Sequence, residues 1–199
     1  MEYNKEKREV KINKTLSSID KITLKFIKIL EKYIDYVIIS GYVSILLGRT
    51  RTTEDIDLFI KEMNFETFSE LYQDLKNNGF WCINAESSEE IFSYLKEKRA
   101  VRFAIENTIA PNFEVKFTKR PIDDETFSDF ILAILPEGKL KISSFERHIA
   151  FKKYYLGTPK DIEDAVHIEE LFKEQIDYAK INKVKKIIEK KKEEEKRNE

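Results

Sequence analysis

Two short apolar runs meet at Ser40-Gly41 and are followed at once by an alternating segment, and this stretch restricts the chain more than any other. Tyr36-Val37-Ile38-Ile39 is too short for a helix and reads as a buried strand that stops at Ser40-Gly41. Residues 42–47 then start a helix, which Gly48 closes. Residues 55–61, DIDLFIK, alternate with period two and read as a second strand. Strand, short helix and strand in so little chain call for a sheet covered by helices rather than a bundle.

The flanks agree with that reading. Residues 15–33 carry Ile19, Ile22, Phe26, Ile27 and Leu30 near helical period. Residues 65–77 predict another helix, stopped by Asn78-Gly79, and residues 86–98 a third. Residues 101–106 and 113–117 predict two strands, with Pro111 marking the turn between them. From Ser143 onward the pattern is helical, apart from a break at Gly157-Thr158-Pro159. The expected fold class is α+β, a mixed α/β sheet flanked by helices with a helical C-terminal region. No linker or internal repeat divides the chain. Its expected parts are a charged N-terminal segment (1–14), the core (15–135), a helical part packed on that core (136–182) and a charged helical or frayed tail (183–199).

Composition removes several functions. The 199 residues include 36 Lys plus Arg against 37 Asp plus Glu, which leaves no basic excess for general duplex DNA binding. A single cysteine, Cys82, excludes a disulfide framework and a Cys-only zinc site, and two histidines leave little for a His-rich metal centre. The charged N-terminus lacks the apolar stretch of a signal peptide, and residues 36–47 are too short to span a bilayer. The expectation is a cytoplasmic protein with no membrane partner. Cys82 reads as a buried thiol, His148 and His167 as surface or core-edge residues, and Phe80-Trp81 and Tyr154-Tyr155 as core before they read as platforms for a base. The Lys/Glu-rich end reads as a solvated helix held by charge pairs.

The residues that carry chemistry lie between Ser40 and Ile60. Asp55 and Asp57 share one face of their strand, with Cα atoms about 6.6 Å apart. Mg²⁺ prefers one or two carboxylates together with substrate phosphates, and a strand holds such a pair rigidly. Ser40-Gly41 lets phosphate oxygens approach the backbone, and the next helix offers N–H donors. Arg51 and Thr53 then supply guanidinium and hydroxyl contacts to phosphate.

Taken in order, small-Gly followed by Gly48-x-x-Arg51-x-Thr53-x-Asp55-x-Asp57 resembles the signature of the DNA polymerase beta-like nucleotidyltransferase superfamily. More closely it resembles the AbiEii-like branch, which includes toxins of toxin–antitoxin pairs. Ser40 departs from the more usual first Gly. A second similarity lies in IAFKKYYLGTPKDIEDAVHI, where Lys152 (or Lys153) is followed by Lys160-Asp161-Ile162-Glu163-Asp164. The resemblance implies a nucleotidyltransferase fold. It also implies Mg²⁺, expected as a two-metal site on Asp55, Asp57 and a third carboxylate. Glu114 takes the place of the family's usual Asp, with Lys116 beside it as a rival ion-pair partner. Ser40, Gly41, Arg51, Thr53, Lys152 and Asp161 are the expected nucleotide-binding residues, with Asp161 orienting the lysine or capping the next helix. An NTP is the implied substrate, the acceptor being an RNA end such as tRNA, a protein hydroxyl or a small molecule, and an antitoxin protein is the implied partner. The alternative is a degenerate module of the same fold that binds a nucleotide or a partner without catalysis.

Overall fold

The computed structural model describes residues 1–197. The first half of the chain contains β1 (Glu2–Asn4), β2 (Glu9–Lys11), α1 (Ser18–Leu30), β3 (Tyr36–Ile39), α2 (Gly41–Leu46), β4 (Asp55–Ile60) and α3 (Phe65–Asn77). Next come β5 (Phe80–Cys82), α4 (Ser88–Lys96), β6 (Val101–Ile105), β7 (Asn112–Phe117) and the single turn α5 (Pro121–Asp124). The chain continues through β8 (Phe130–Leu135), β9 (Gly138–Ser143), α6 (Phe145–Ala150), a π-helical stretch (Phe151–Leu156), α7 (Pro159–Leu171) and α8 (Tyr178–Arg197).

All nine strands join one mixed sheet in the order β1-β2-β8-β9-β3-β4-β7-β6-β5. Local sequence explains the main elements. Ser17 and Asp20 form a reciprocal capping box at the start of α1, and Asn64 caps α3. In β4 the apolar residues Ile56, Leu58 and Ile60 point into the core, and in β7 Phe113, Val115 and Phe117 do the same. Helix α1 covers that face: the Phe26 ring stacks on Phe113 with centroids 3.9 Å apart, and Phe80 meets both rings edge-on. The opposite face of β4 and β7 therefore carries Asp55, Asp57, Asn112, Glu114 and Lys116.

Three parts of the sequence expectation need correction. The segment 1–14 is not only a charged extension, because β1 and β2 extend the sheet and Val10 is fully buried. The part expected to be helical from residue 136 begins with strand β9, which lies between β8 and β3 in the sheet. In β9 only Leu140 and Ile142 mark the buried side, between Lys139 and Lys141, which is too short an alternation to stand out in sequence. The tail is not merely solvated, since Ile181, Val184 and Ile188 bury one stripe of α8. Residues 198–199 of the expected tail lie outside the described residues. Cys82 is buried, as expected. No helix among the described residues is long and apolar enough to cross a membrane.

Candidate active site

Strand register assembles the site. Antiparallel pairing sets Ile39 opposite Asp57, so the Ser40-Gly41 turn leaves the sheet next to that carboxylate. Parallel pairing sets Asp55 opposite Asn112 and Asp57 opposite Glu114. Asn112 Nδ2 donates to Asp55 Oδ1 at 2.7 Å, and Thr53 Oγ1 donates to the Asp55 carbonyl at 3.0 Å. Lys116 Nζ lies 3.1 Å from Glu114 Oε1 and 3.5 Å from Asp57 Oδ1. Arg102, on the neighbouring strand, holds the other Glu114 oxygen at 2.7 Å.

The backbone at Ser40 has φ 61° and ψ −139°, a conformation that residues with a Cβ adopt only under strain. This is the position where the resembled signature usually has Gly. At Gly41 the constraint is close approach, because a Cβ there would lie 2.7 Å from Arg51 Nη2.

Arg51 reaches back over that turn to the C-terminal helices. Its Nε and Nη2 donate to the two Asp164 oxygens at 3.0 and 2.8 Å, a bidentate pair. Lys152 Nζ lies 2.6 Å from Asp161 Oδ1 and 3.0 Å from Asp164 Oδ2. Lys152 is 2% exposed and Asp164 0%. The sequence places these groups through two local devices. The π-helical stretch widens the turn that carries Lys152, and Gly157, with φ 70°, ends it. Thr158 then caps α7, with Pro159 in its first turn and Asp161 beside the cap. Asp161 therefore both faces Lys152 and joins the cap.

Ser40, Asp57 and Lys152 line one cavity of about 550 Å³. Its wall carries six cationic side chains against two carboxylates, in a chain whose net charge is −1. Such a cavity suits an anionic ligand. Phe59, Phe151 and Tyr155 supply an aromatic side, and Arg120 lies 4.5 Å from the Tyr155 ring centroid. Asp55 and Glu114 adjoin Asp57 and Asp161 adjoins Lys152, but these three, with Gly41, Arg51 and Thr53, are not in its wall. Lys153 turns away and pairs with Glu169. A second, more open cavity of about 590 Å³ shares Lys119 and Arg120 with the first but touches none of the expected site residues.

The two sets of carboxylates differ in electrostatics. Burial pushes the Asp57 carboxyl above its ordinary value, and Glu114 and Asp55 add to that shift against the pull of Lys116. Burial also acts on Glu114, but Lys116 and Arg102 outweigh it and hold the group low. Burial at Asp161 is likewise overcome by Lys152 and Thr158, and at Asp164 by Arg51 and Lys152. Among the described residues no three His, Cys, Asp or Glu side chains form a ready-made metal cluster. The oxygens at the strand ends nevertheless fit a hard cation. Asp57 is half-buried with a single weak cationic contact, and Asn112 Oδ1, beside Asp55, is buried without a hydrogen-bond partner.

Several residues around the cavity lie outside the sequence expectations. His148 is neither at the surface nor at the core edge: it is fully buried, lines the cavity and lies 2.9 Å from Ser44 Oγ through Nε2. Burial, with Lys152 nearby, pushes its pKa down to about 3 and keeps it neutral. Arg147 and Lys191 also reach the cavity. Asp164 had a legible signal, since it follows Asp161 at helical spacing on the same face of α7. Of the aromatic candidates only Tyr155 reaches the cavity. Phe80 is core, and Trp81 sits on the edge strand β5, bonded to the Thr108 carbonyl.

The fold is nucleotidyltransferase-like. One similar solved structure is an antigenic nucleotidyltransferase-like protein from Paracoccidioides brasiliensis, with TM-score 0.52 and 20% identity over 78% of this chain and 78% of that one. Another is the antibiotic-resistance factor ANT(2'')-Ia, with TM-score 0.56 and 14% identity over 90% of this chain and 97% of that one. No family model and no curated protein matches the chain.

Proposed function

We propose that this protein is a Mg²⁺-dependent nucleotidyltransferase that moves a nucleotidyl group from an NTP to an acceptor hydroxyl or phosphate and releases pyrophosphate. The observation that carries this reading is the meeting of Ser40, Asp57 and Lys152 in one cationic cavity on a nucleotidyltransferase-like fold. Asp55 and Asp57 would hold the metal, which when bound neutralises phosphate charge and aligns the reacting oxygens. The strained Ser40-Gly41 turn brings backbone close to the triphosphate, and Lys152 offsets its charge from the cavity wall. Arg51 and Asp161 act from outside that wall, Arg51 by bracing the turn and Asp161 by aiming Lys152. Thr53 steadies the backbone that carries Asp55. Tyr155 and Phe151 offer the base an aromatic face.

The test is incorporation of labelled nucleotide from each NTP with Mg²⁺ into total RNA and protein. Asp55→Ala and Asp57→Ala should abolish it in folded protein, and unchanged incorporation in either variant sinks the assignment. A second reading, a nucleotide-binding module without turnover, is favoured by one observation: Arg102 and Lys116 engage both oxygens of Glu114, the expected third carboxylate. Metal-dependent NTP binding with no pyrophosphate released on any acceptor selects it. The AbiEii-like resemblance adds a toxin role, for which growth arrest on expression, relieved by Asp57→Ala, is the expected outcome.

A further inference from the structure

We propose that Lys116 is a built-in cation of this site, standing in for a second metal ion between Asp57 and Glu114, so that the site takes a single divalent ion on Asp55 and Asp57. The inference rests on the nucleotidyltransferase reading above and revises the two-metal site that the sequence resemblance implies.

Four observations carry it. First, parallel register puts Asp57 and Glu114 side by side, and Lys116 Nζ is the positive charge between them, at 3.5 and 3.1 Å. An ion bridging the same two carboxylates would bind oxygens at about 2.0–2.1 Å. It would therefore occupy the space of the ammonium, and two cations that close repel strongly in a half-buried site. Second, Arg102 Nη2 takes the remaining Glu114 oxygen at 2.7 Å from its paired position on β6. Both Glu114 oxygens are thus engaged by cations fixed to strands. Third, the Lys116 ammonium lies 5.8 Å from the Phe59 ring centroid, a second contact that keeps it over the sheet and in the cavity wall. Fourth, carboxylate oxygens remain outside these pairs: Asp57 Oδ2 carries no ion pair among the described residues, and Asp55 is bound only through Oδ1, by Asn112.

Glu114 is then a positioning residue, whose partner Lys116 presents its charge to an anionic ligand in the cavity. The arrangement also explains why Lys, two residues beyond Glu114, faces the same side of β7 as the carboxylate it neutralises.

Titration of the full chain with Mn²⁺, read by the electron paramagnetic resonance of the free ion, tests this directly. The wild-type protein should bind one Mn²⁺. Lys116→Met should bind two, with the first held roughly tenfold more tightly once the nearby charge is gone. Adding Glu114→Gln to Lys116→Met should return the count to one, and Lys116→Arg, which keeps the charge, should stay at one. Circular dichroism melts show whether each variant is folded, and Lys116→Arg keeps the test open if Lys116→Met is not. Two ions in the wild type or in folded Lys116→Arg, or one in folded Lys116→Met, overturn the inference and leave the transferase reading standing. That reading falls on the incorporation assay, whatever the metal count.

Discussion

Asp57 in the cavity wall and Glu114 beside it on β7 are half-buried with one lysine between them, whereas Asp161 and Asp164 are closed in with Arg51 and Lys152. The residue types are the same, but the balance differs. In the closed cluster each carboxylate is held below its ordinary value, because paired cations outweigh burial. In the open cluster burial wins at Asp57 and raises it. A buried ion network with every oxygen matched is scaffold, while a buried carboxylate short of positive charge is a place for a ligand. Lys152 joins the two, since it pairs with Asp161 and Asp164 and also lines the cavity.

Breaking the closed cluster should have the largest effect on stability. Asp164→Ala leaves Arg51 and Lys152 buried without their shared anion and should cost about 3–5 kcal/mol, read by urea unfolding. A cost below about 1 kcal/mol would make the cluster ornamental.

Acid should come next, and its window separates His148 from the carboxylates. His148 has its pKa lowered from 6.5 to about 3, so the folded state favours the neutral ring. Its contribution is complete above pH 6.5 and is lost as pH falls toward 3, on the order of a few kcal/mol. Asp161 and Asp164 have pKa values lowered from 3.8, so their contributions are complete above pH 3.8 and are lost as pH falls below it. Asp57 runs the other way: its pKa is raised, so its contribution is fullest below pH 3.8 and is lost as pH rises through the folded value. Chemical denaturation at a series of pH values should show the loss between pH 6.5 and 3, and His148→Gln should flatten it.

Smaller effects sharpen the link between the clusters. Gly41→Ala places a methyl group against Arg51 Nη2, which cannot swing aside without leaving Asp164, and should cost about 1–3 kcal/mol. Ser40→Gly relieves the positive-φ strain and should stabilise by about 1 kcal/mol, measured as a raised denaturation midpoint.

The strands and helices around Ser40 to Asn77 were legible in the sequence because period and caps agree there: DIDLFIK alternates, and Asn78-Gly79 stops α3. The hairpin β8–β9 was not, because FILAIL carries no period and its partners are distant in sequence. The short N-terminal strands were masked by their charge, with Val10 alone marking the buried side. Around the candidate site, the order along the chain was enough to expect Ser40-Gly41 at a strand end and Asp55 and Asp57 on one face of the next strand. The pairing of Arg51 with Asp164, the neutral buried His148 and the double capture of Glu114 depend on contacts between distant segments. Spacing does not encode them. Asp164 is the intermediate case, on the right face of its helix but with nothing nearby in sequence to say what it holds.

Binding of a non-hydrolysable NTP analogue with Mg²⁺ to wild type and Asp57→Asn, by calorimetry beside a thermal melt, separates a ligand site from scaffold at the open cluster. Each of the four bases is tried in turn. If the open cluster is where the ligand goes, Asp57→Asn loses at least about tenfold in affinity while its melting temperature at neutral pH holds or rises. Undiminished binding, or a melting temperature several degrees lower, would contradict the division between the two clusters.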